Sequence, residues 1–537
     1  MIRFALVLAA AALLAPGADA ARFAVGASST SDLPRLLAAL PGAESLAPVP
    51  AVVVERSSAP RLERLPGATY VERLGTRGLS YAPSDPLASK QWHLAANRTW
   101  DYWDAAPKLA PVLVAVIDSG IDGGHPEFAG KIAEARSFVG GSALVDKQGH
   151  GTFVAGVLAA GVDNAVGIAG MAPSAELLVA KVVNGDDLID IEAEVKAIRW
   201  AVERGARVIN MSLGGLRDPG DPDNDAFSPL EAAAVGYAHG KGVVVVAAVG
   251  NSAEPPPRSW PFASYPAALP HVLGVSALAR DGSVPAFSNR DKIYNDISAP
   301  GDEILSTLPL ALTAKERDCA EQGYSSCGSD DYRQGEGTSF AAPQVSAAAA
   351  VILGLRPKLR PEQVTALLTR TARDVSAATG CPACPLGRDA LSGWGRLDVN
   401  AALRALGGPL PPRDRLEPND NAGAAAASLW GKAIRLEATL DFWDDQTDVY
   451  AIRLRRNESV YASVRGPAGT DTNLILWSPG TRNVDSLGSL DLVARQSARS
   501  GPREYLSYRA PKAGTYYVQV KLGSRGAGKY TLVIVKA

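Results

Sequence analysis

At 537 residues the chain is too long for a single hydrophobic core, and two to four structural units are expected. A composition of 47% hydrophobic and 20% charged residues is that of a folded protein, and a formal net charge of −2 lacks the basic excess of a nucleic-acid binder. The same balance gives no reason to expect an acidic surface as partner.

The chain opens with an address. Arg3 precedes an apolar run from about Phe4 to Leu14, Pro16 and Gly17 break it, and Ala18-Asp19-Ala20 fits a small-x-small cleavage site. Residues 1–20 therefore read as a signal peptide removed after Ala20, which implies a secreted protein, extracellular or periplasmic. The run is too short to span a bilayer, no later segment is expected to be long and apolar enough to cross a membrane, and no stable membrane insertion is expected. Residues 21–80 read as a small α+β unit. Strands are expected at Arg22–Val25, Ala51–Glu55 and Thr69–Leu74, with short helices at Leu33–Leu40 and Pro60–Leu65.

From 85 to 405 the pattern alternates. Val112–Ile117, Leu177–Val183, Val208–Met211 and Val243–Val249 are nearly unbroken apolar runs, as in strands buried on both faces of a parallel sheet. Ile191–Glu203 and Leu230–His239 repeat apolar residues at helical spacing. The alternation predicts a doubly wound, mainly parallel α/β domain. A linker at 406–416 contains Gly407–Pro412, and over 417–537 the period becomes two. Tyr450, Ile452 and Leu454 alternate with polar partners, as do Tyr516, Val518, Val520 and Leu522, then Tyr530, Leu532 and Ile534, which predicts an all-β sandwich.

Four cysteines in an exported chain suggest two disulfides, with local pairing (Cys319–Cys327, Cys381–Cys384) the simplest of three connectivities. A redox-active pair or half a zinc site is the competing reading of Cys381-Pro382-Ala383-Cys384.

Four sites carry possible chemistry. The first strand ends in Asp118, at the edge where open α/β sheets meet their ligands. Of five histidines, His150 alone is flanked by glycines, ahead of a small apolar run suited to a tightly packed helix. Ser339, in G-T-S-F-A-A-P, opens an Ala-rich helix, where an unsatisfied N–H and the helix dipole favour a developing negative oxygen. Pro343 is expected in its first turn. The strand Val243–Val249 leads to Asn251, whose amide can meet the same oxyanion. A serine hydroxyl needs a base; His150 can supply it, with Asp118 fixing the tautomer.

In that order, D-S-G-I-D, G-H-G-T, G-N and G-T-S-F-A-A-P resemble the subtilisin family of serine peptidases over roughly 85–400. The resemblance implies a serine endopeptidase acting on polypeptides, without catalytic cofactor and as a monomer. It implies that Ser212, Leu213, Gly214 and Gly250 bind an extended substrate, opposite Asp187, Leu188 and Ile189, where many relatives carry a glycine-rich segment. It also implies a structural Ca²⁺ held by Asp85, Glu127 and Asn164 with the carbonyls of Val162, Val166 and Ile168. The family usually has aspartate at Glu127. Phe153 stands where a second histidine is common, and Phe340 where methionine is usual, which removes an oxidation liability beside the serine. Residues 21–80 are similar to the family's inhibitory propeptide, with maturation expected near Arg77–Ser84. The tail, through Glu417–Asp420, Asp444–Tyr450 and Gly514–Val520, resembles a bacterial pre-peptidase C-terminal domain.

Overall fold

The computed structural model describes residues 21–537 apart from 57–61, 63–64, 75–80, 187, 222, 255–257, 316–330, 409–415, 417–418, 442–445, 483, 485–491 and 525. The chain divides into two units, one ending at Leu79 and one running from Ser80 to Ala537.

In the leading unit, β1 (Ala21–Gly26), β2 (Glu44–Ser45), β3 (Ala51–Arg56) and β4 (Tyr70–Arg73) form an antiparallel sheet in the order β2-β3-β1-β4. Helix α1 (Leu33–Ala39), with proline in its first turn, seats Leu33 and Leu36 on Val25, Val52 and Val54. Most of the expected helix at Pro60–Leu65 and the first half of the expected maturation segment, residues 77–80, lie outside the described residues.

The second unit opens with α2 (Trp92–Ala96), and then alternates as the sequence predicts. Its elements are β5 (Val112–Asp118), β6 (Ile132–Ser137), α3 (His150–Ala159), β7 (Ala175–Lys181), α4 (Ile191–Glu203), β8 (Val208–Met211), α5 (Pro229–Gly240), β9 (Val244–Ala248), β10 (Val272–Leu278) and β11 (Ile297–Pro300). The seven strands form one parallel sheet, β11-β10-β9-β8-β5-β7-β6. Strand β5 shows why its sequence has no polar alternation. Val112, Val114 and Val116 enter the core under α3, while Ala115 and Ile117 enter the opposite core under α4 and α5. Strands β6, β10 and β11 were not predicted; Ile132–Ser137 lacks a continuous apolar run, and β10 is interrupted by Gly274 and Ser276.

Helix α6 (Thr338–Leu355) is long and apolar enough to cross a membrane, but every residue through Gly354 is buried against β8, β9 and β10. It is a core helix. The tail is a sandwich of a five-stranded and a four-stranded sheet, antiparallel except for one short parallel pairing. The ten alternating residues named above are its core. Cys381 and Cys384 form a disulfide; Cys319 and Cys327 lie outside the described residues.

His93 on α2 is fully buried, neither ring nitrogen has a partner among the described residues, and burial pushes its pKa down to about 3. The native state holds it neutral, so this contribution is intact above the ordinary value of 6.5 and is lost as pH falls from there toward 3. By pH 4 the loss is on the order of 3 kcal/mol. Thermal midpoints measured from pH 7 to 4 are expected to fall less steeply in His93→Phe than in the parent; parallel curves would contradict this.

Candidate active site

The carboxyl ends of four adjacent strands, β7, β5, β8 and β9, carry the candidate residues. Asp118 is the last residue of β5. It is 2% exposed, and its Oδ1 lies 2.8 Å from His150 Nδ1 and accepts the Ser119 N–H at 2.7 Å. His150 is the first residue of α3 and keeps about a quarter of its side chain exposed (24%), which leaves a face toward the cleft. Burial alone would lower its pKa, but the Asp118 charge and hydrogen bond, with Asp146 behind, outweigh this and raise it.

Asp146 is a residue that sequence reasoning missed. Its carboxylate accepts Ser119 Oγ (2.9 Å), Gly149 N (2.9 Å), Thr152 N (2.9 Å) and Thr152 Oγ1 (2.7 Å), fixing the turn that aims His150. The signal was an aspartate one turn ahead of the helix start, the ordinary mark of a cap. The other four histidines have packing roles. His93 is a core residue, His125 Nδ1 accepts the Glu127 N–H, and His239 stacks at 4.0 Å on His271, which pairs with Asp420 of the sandwich at 2.9 Å.

Ser339 is the second residue of α6, which begins at Thr338, one place earlier than predicted. Pro343 therefore lies beyond the first turn and costs the helix one bond, the one to the Ser339 carbonyl. Ser212 Oγ donates to that carbonyl instead at 2.7 Å, while Ser339 Oγ donates to the Ser212 carbonyl at 3.1 Å. Ser212 Oγ in turn accepts Asn210 Nδ2 (3.0 Å), whose Oδ1 accepts Ser346 Oγ (2.8 Å). A buried polar relay thus pins the serine to the end of β8.

Asn251 follows β9. Its Oδ1 accepts Thr338 N and Thr338 Oγ1, both at 2.8 Å, which turns its NH₂ outward. A methyl group added at Gly337 (φ +148°) would sit 3.4 Å from Asn251 Nδ2 and 3.7 Å from Ser339 N. Two donors therefore border one small space that only glycine leaves open. An anionic oxygen forming there would meet both.

This geometry agrees with the comparison to known proteins, in which the Subtilase family (Peptidase_S8) matches residues 110–395. The chain belongs to the subtilase family. It is 35% identical to subtilisin DY of Bacillus licheniformis over 298 residues, covering 55% of this chain and 92% of that relative. It is 30% identical to fervidolysin of Fervidobacterium pennivorans, over 75% of this chain and 54% of the relative. It is 28% identical to the cell wall-associated protease of Bacillus subtilis (strain 168), over 85% and 49%. The chain thus spans about half the length of these last two.

Within this subtilase the segments expected to form the substrate walls emerge from the strands on either side of β5. Ser212, Leu213 and Gly214 leave β8, and Gly215 exchanges backbone hydrogen bonds with Tyr265 at 2.9 Å. The other wall leaves β7 as a tight turn. Asn184 Oδ1 accepts Asp186 N and Leu188 N, Ile189 bridges to Val183, and Leu188 stands 64% exposed at the tip. Asp187 lies outside the described residues. The two departures Phe153 and Phe340 meet each other at 4.0 Å between ring centroids, and Phe340 also lies 5.7 Å from the His150 ring. An apolar pair thus backs the imidazole.

The residues expected to hold calcium come together in a different arrangement. Asp85 accepts Asp163 N and Asn164 N, one on each oxygen. Glu127 Oε1 accepts Ile168 N (2.7 Å) and Tyr332 OH (3.1 Å), and its Oε2 accepts Asn164 Nδ2 (3.1 Å). Asn164 Oδ1 accepts Val166 N at 2.8 Å. Every carboxylate oxygen faces an N–H or O–H, and Asn164 turns its donor end to Glu127. Among the described residues no three acidic, histidine or cysteine side chains converge as a metal group. As arranged, the three side chains serve as hydrogen-bond partners of the 162–168 loop. Glutamate, one methylene longer than aspartate, reaches the loop amide directly, and burial raises its pKa against these bonds.

Two outcomes follow for this site. Gly337→Ala is expected to lower kcat by on the order of 10²–10³ and, because side-chain-bearing residues rarely adopt φ +148°, to lower the thermal midpoint as well, checked by kinetics per titrated site beside calorimetry. Chelation of divalent cations is expected to leave the midpoint nearly unchanged, whereas Glu127→Ala destabilises by on the order of 3 kcal/mol. A large drop on chelation alone would contradict the hydrogen-bonded clamp.

Proposed function

We propose that this subtilase is a secreted serine endopeptidase using Ser339 as nucleophile, His150 as general base and acid, Asp118 as its orienting partner, and Asn251 with the Ser339 N–H as oxyanion donors. The observation that carries the reading is the Asp118–His150 contact at 2.8 Å, on the same sheet edge as the two donors around Gly337. A polypeptide lies extended along Ser212–Gly214, with Gly250 beside the scissile residue and Leu188–Ile189 opposite, adding as a strand. Ser339 Oγ turns from the Ser212 carbonyl toward His150, gives up its proton to Nε2, and attacks the peptide carbonyl. The oxyanion collapses as the C–N bond breaks, the proton passes from His150 to the leaving amine, and an acyl-enzyme remains. Water activated by His150 then releases the acid.

The steps need no cofactor. A leader at 1–20 supports export, and the α+β leading unit supports a self-cleaved, inhibitory propeptide as the enzyme's own partner. The sandwich supports a pre-peptidase C-terminal domain, and the reading is of a monomer.

His150 works as a base only when neutral, and its pKa is raised. Activity on an extended peptide is expected to rise with pH through an apparent pKa above 6.5. Asp118→Asn should shift that limb down and reduce kcat by roughly 10⁴, a magnitude borrowed from measured serine peptidases. A pH-independent rate, or an Asp118→Asn enzyme within tenfold of the parent, would sink the assignment.

A further inference from the structure

Strand β9 ends before it reaches the site. Its last sheet bond runs from Val249 N to Val275 O at 3.1 Å, and beyond it Asn251 sits on a half-open loop. One side chain replaces the missing neighbour. Asn289, fully buried, donates its backbone N–H to the Gly250 carbonyl at 3.0 Å. Its Oδ1 accepts Ser252 N at 2.8 Å, and its Nδ2 donates to the Val249 carbonyl at 3.0 Å. The residues immediately before and after Asn251 are thus both tied to Asn289. Gly250 (φ +102°) allows the approach, since a methyl group there would lie 2.6 Å from Asn289 Nδ2.

We propose that Asn289 is the positioning residue for the oxyanion donor Asn251, an inference that rests on the peptidase reading above. Thr338 fixes the Asn251 amide from the side-chain end, and Asn289 fixes it from the backbone. The task suits a carboxamide, because one planar group must accept from Ser252 N while donating to Val249 O. Aspartate would set a carboxylate against the carbonyl, and serine would be too short to reach both. The Asn251 N–H tightens on the oxygen only as it becomes an anion, so a displaced amide weakens the transition state more than bound substrate. The effect belongs in kcat.

The test is a double-mutant cycle on an extended peptide substrate, comparing the parent, Asn289→Ala, Asn251→Ala and the double variant. Rates are counted per site titrated with a phosphonylating reagent, so unfolded material does not register. Asn289→Ala is expected to lower kcat by about 10- to 100-fold with KM within about twofold. In the Asn251→Ala background the same change should cost less than about threefold. If Asn289→Ala does not fold, Asn289→Asp, which keeps the acceptor and loses the donor, is read in the same cycle. Losses that multiply in the double variant, or a single-variant kcat within twofold of the parent, overturn the positioning role. An Asn251→Ala enzyme as fast as the parent instead overturns the oxyanion reading beneath it.

Discussion

A carboxylate on the last residue of a strand and an imidazole on the first residue of a helix meet at 2.8 Å, and most of the architecture serves that meeting. Strand β5 lies inside the sheet, with β8 paired as far as Val116 and β7 paired through Asp118, so the strand that ends in Asp118 is held from both sides. Helix α3 is packed on all sides, so His150 cannot swing with it. Asp146 closes the remaining freedom by holding the turn between them. In the proposed mechanism the rigid parts are those that set the proton path, and the exposed part is the ring face that substrate would reach.

The nucleophile is held in another way. Pro343 would be a defect in an ordinary helix, because it leaves the Ser339 carbonyl without its helical donor. Here the Ser212 hydroxyl supplies the donor, and the Ser339 hydroxyl returns a bond to the Ser212 carbonyl. The freed carbonyl thus ties the nucleophile's helix to the strand that leads into the substrate wall. The neighbouring Phe153–Phe340 contact fills the space behind the imidazole with rings, so two departures from the family pattern form one local adjustment. The loop of residues 162–168 shows a comparable economy, with Glu127 accepting from Asn164 Nδ2 and Ile168 N.

The parallel domain was legible because β5, β8 and β9 are nearly unbroken apolar runs with helical periods between them, and the sandwich because its core tyrosines, valines and leucines recur every second residue. Strands β6 and β10 carry polar or glycine positions that periodicity cannot separate from loops. Asp118, His150, Ser339 and Asn251 were found through their surroundings of glycine, strand end and helix start. Asp146, Thr338 and Asn289 were not, because their roles arise from hydrogen bonds across distant segments, for which one sequence has no period or spacing. The calcium set was read from the family resemblance and from oxygen-bearing residue types. Which end of the Asn164 amide faces Glu127 is a property of packing, and it changes the chemistry of the cluster.

The most direct test of this account is to treat folded protein with a fluorophosphonate at neutral pH and locate the adduct by peptide mass spectrometry. A serine activated by His150 and stabilised by the Asn251 and Ser339 amides predicts a single phosphonyl group on Ser339, absent after denaturation and absent in His150→Ala. Peptide cleavage by a protein that leaves Ser339 unmodified, or labels another serine instead, would contradict it.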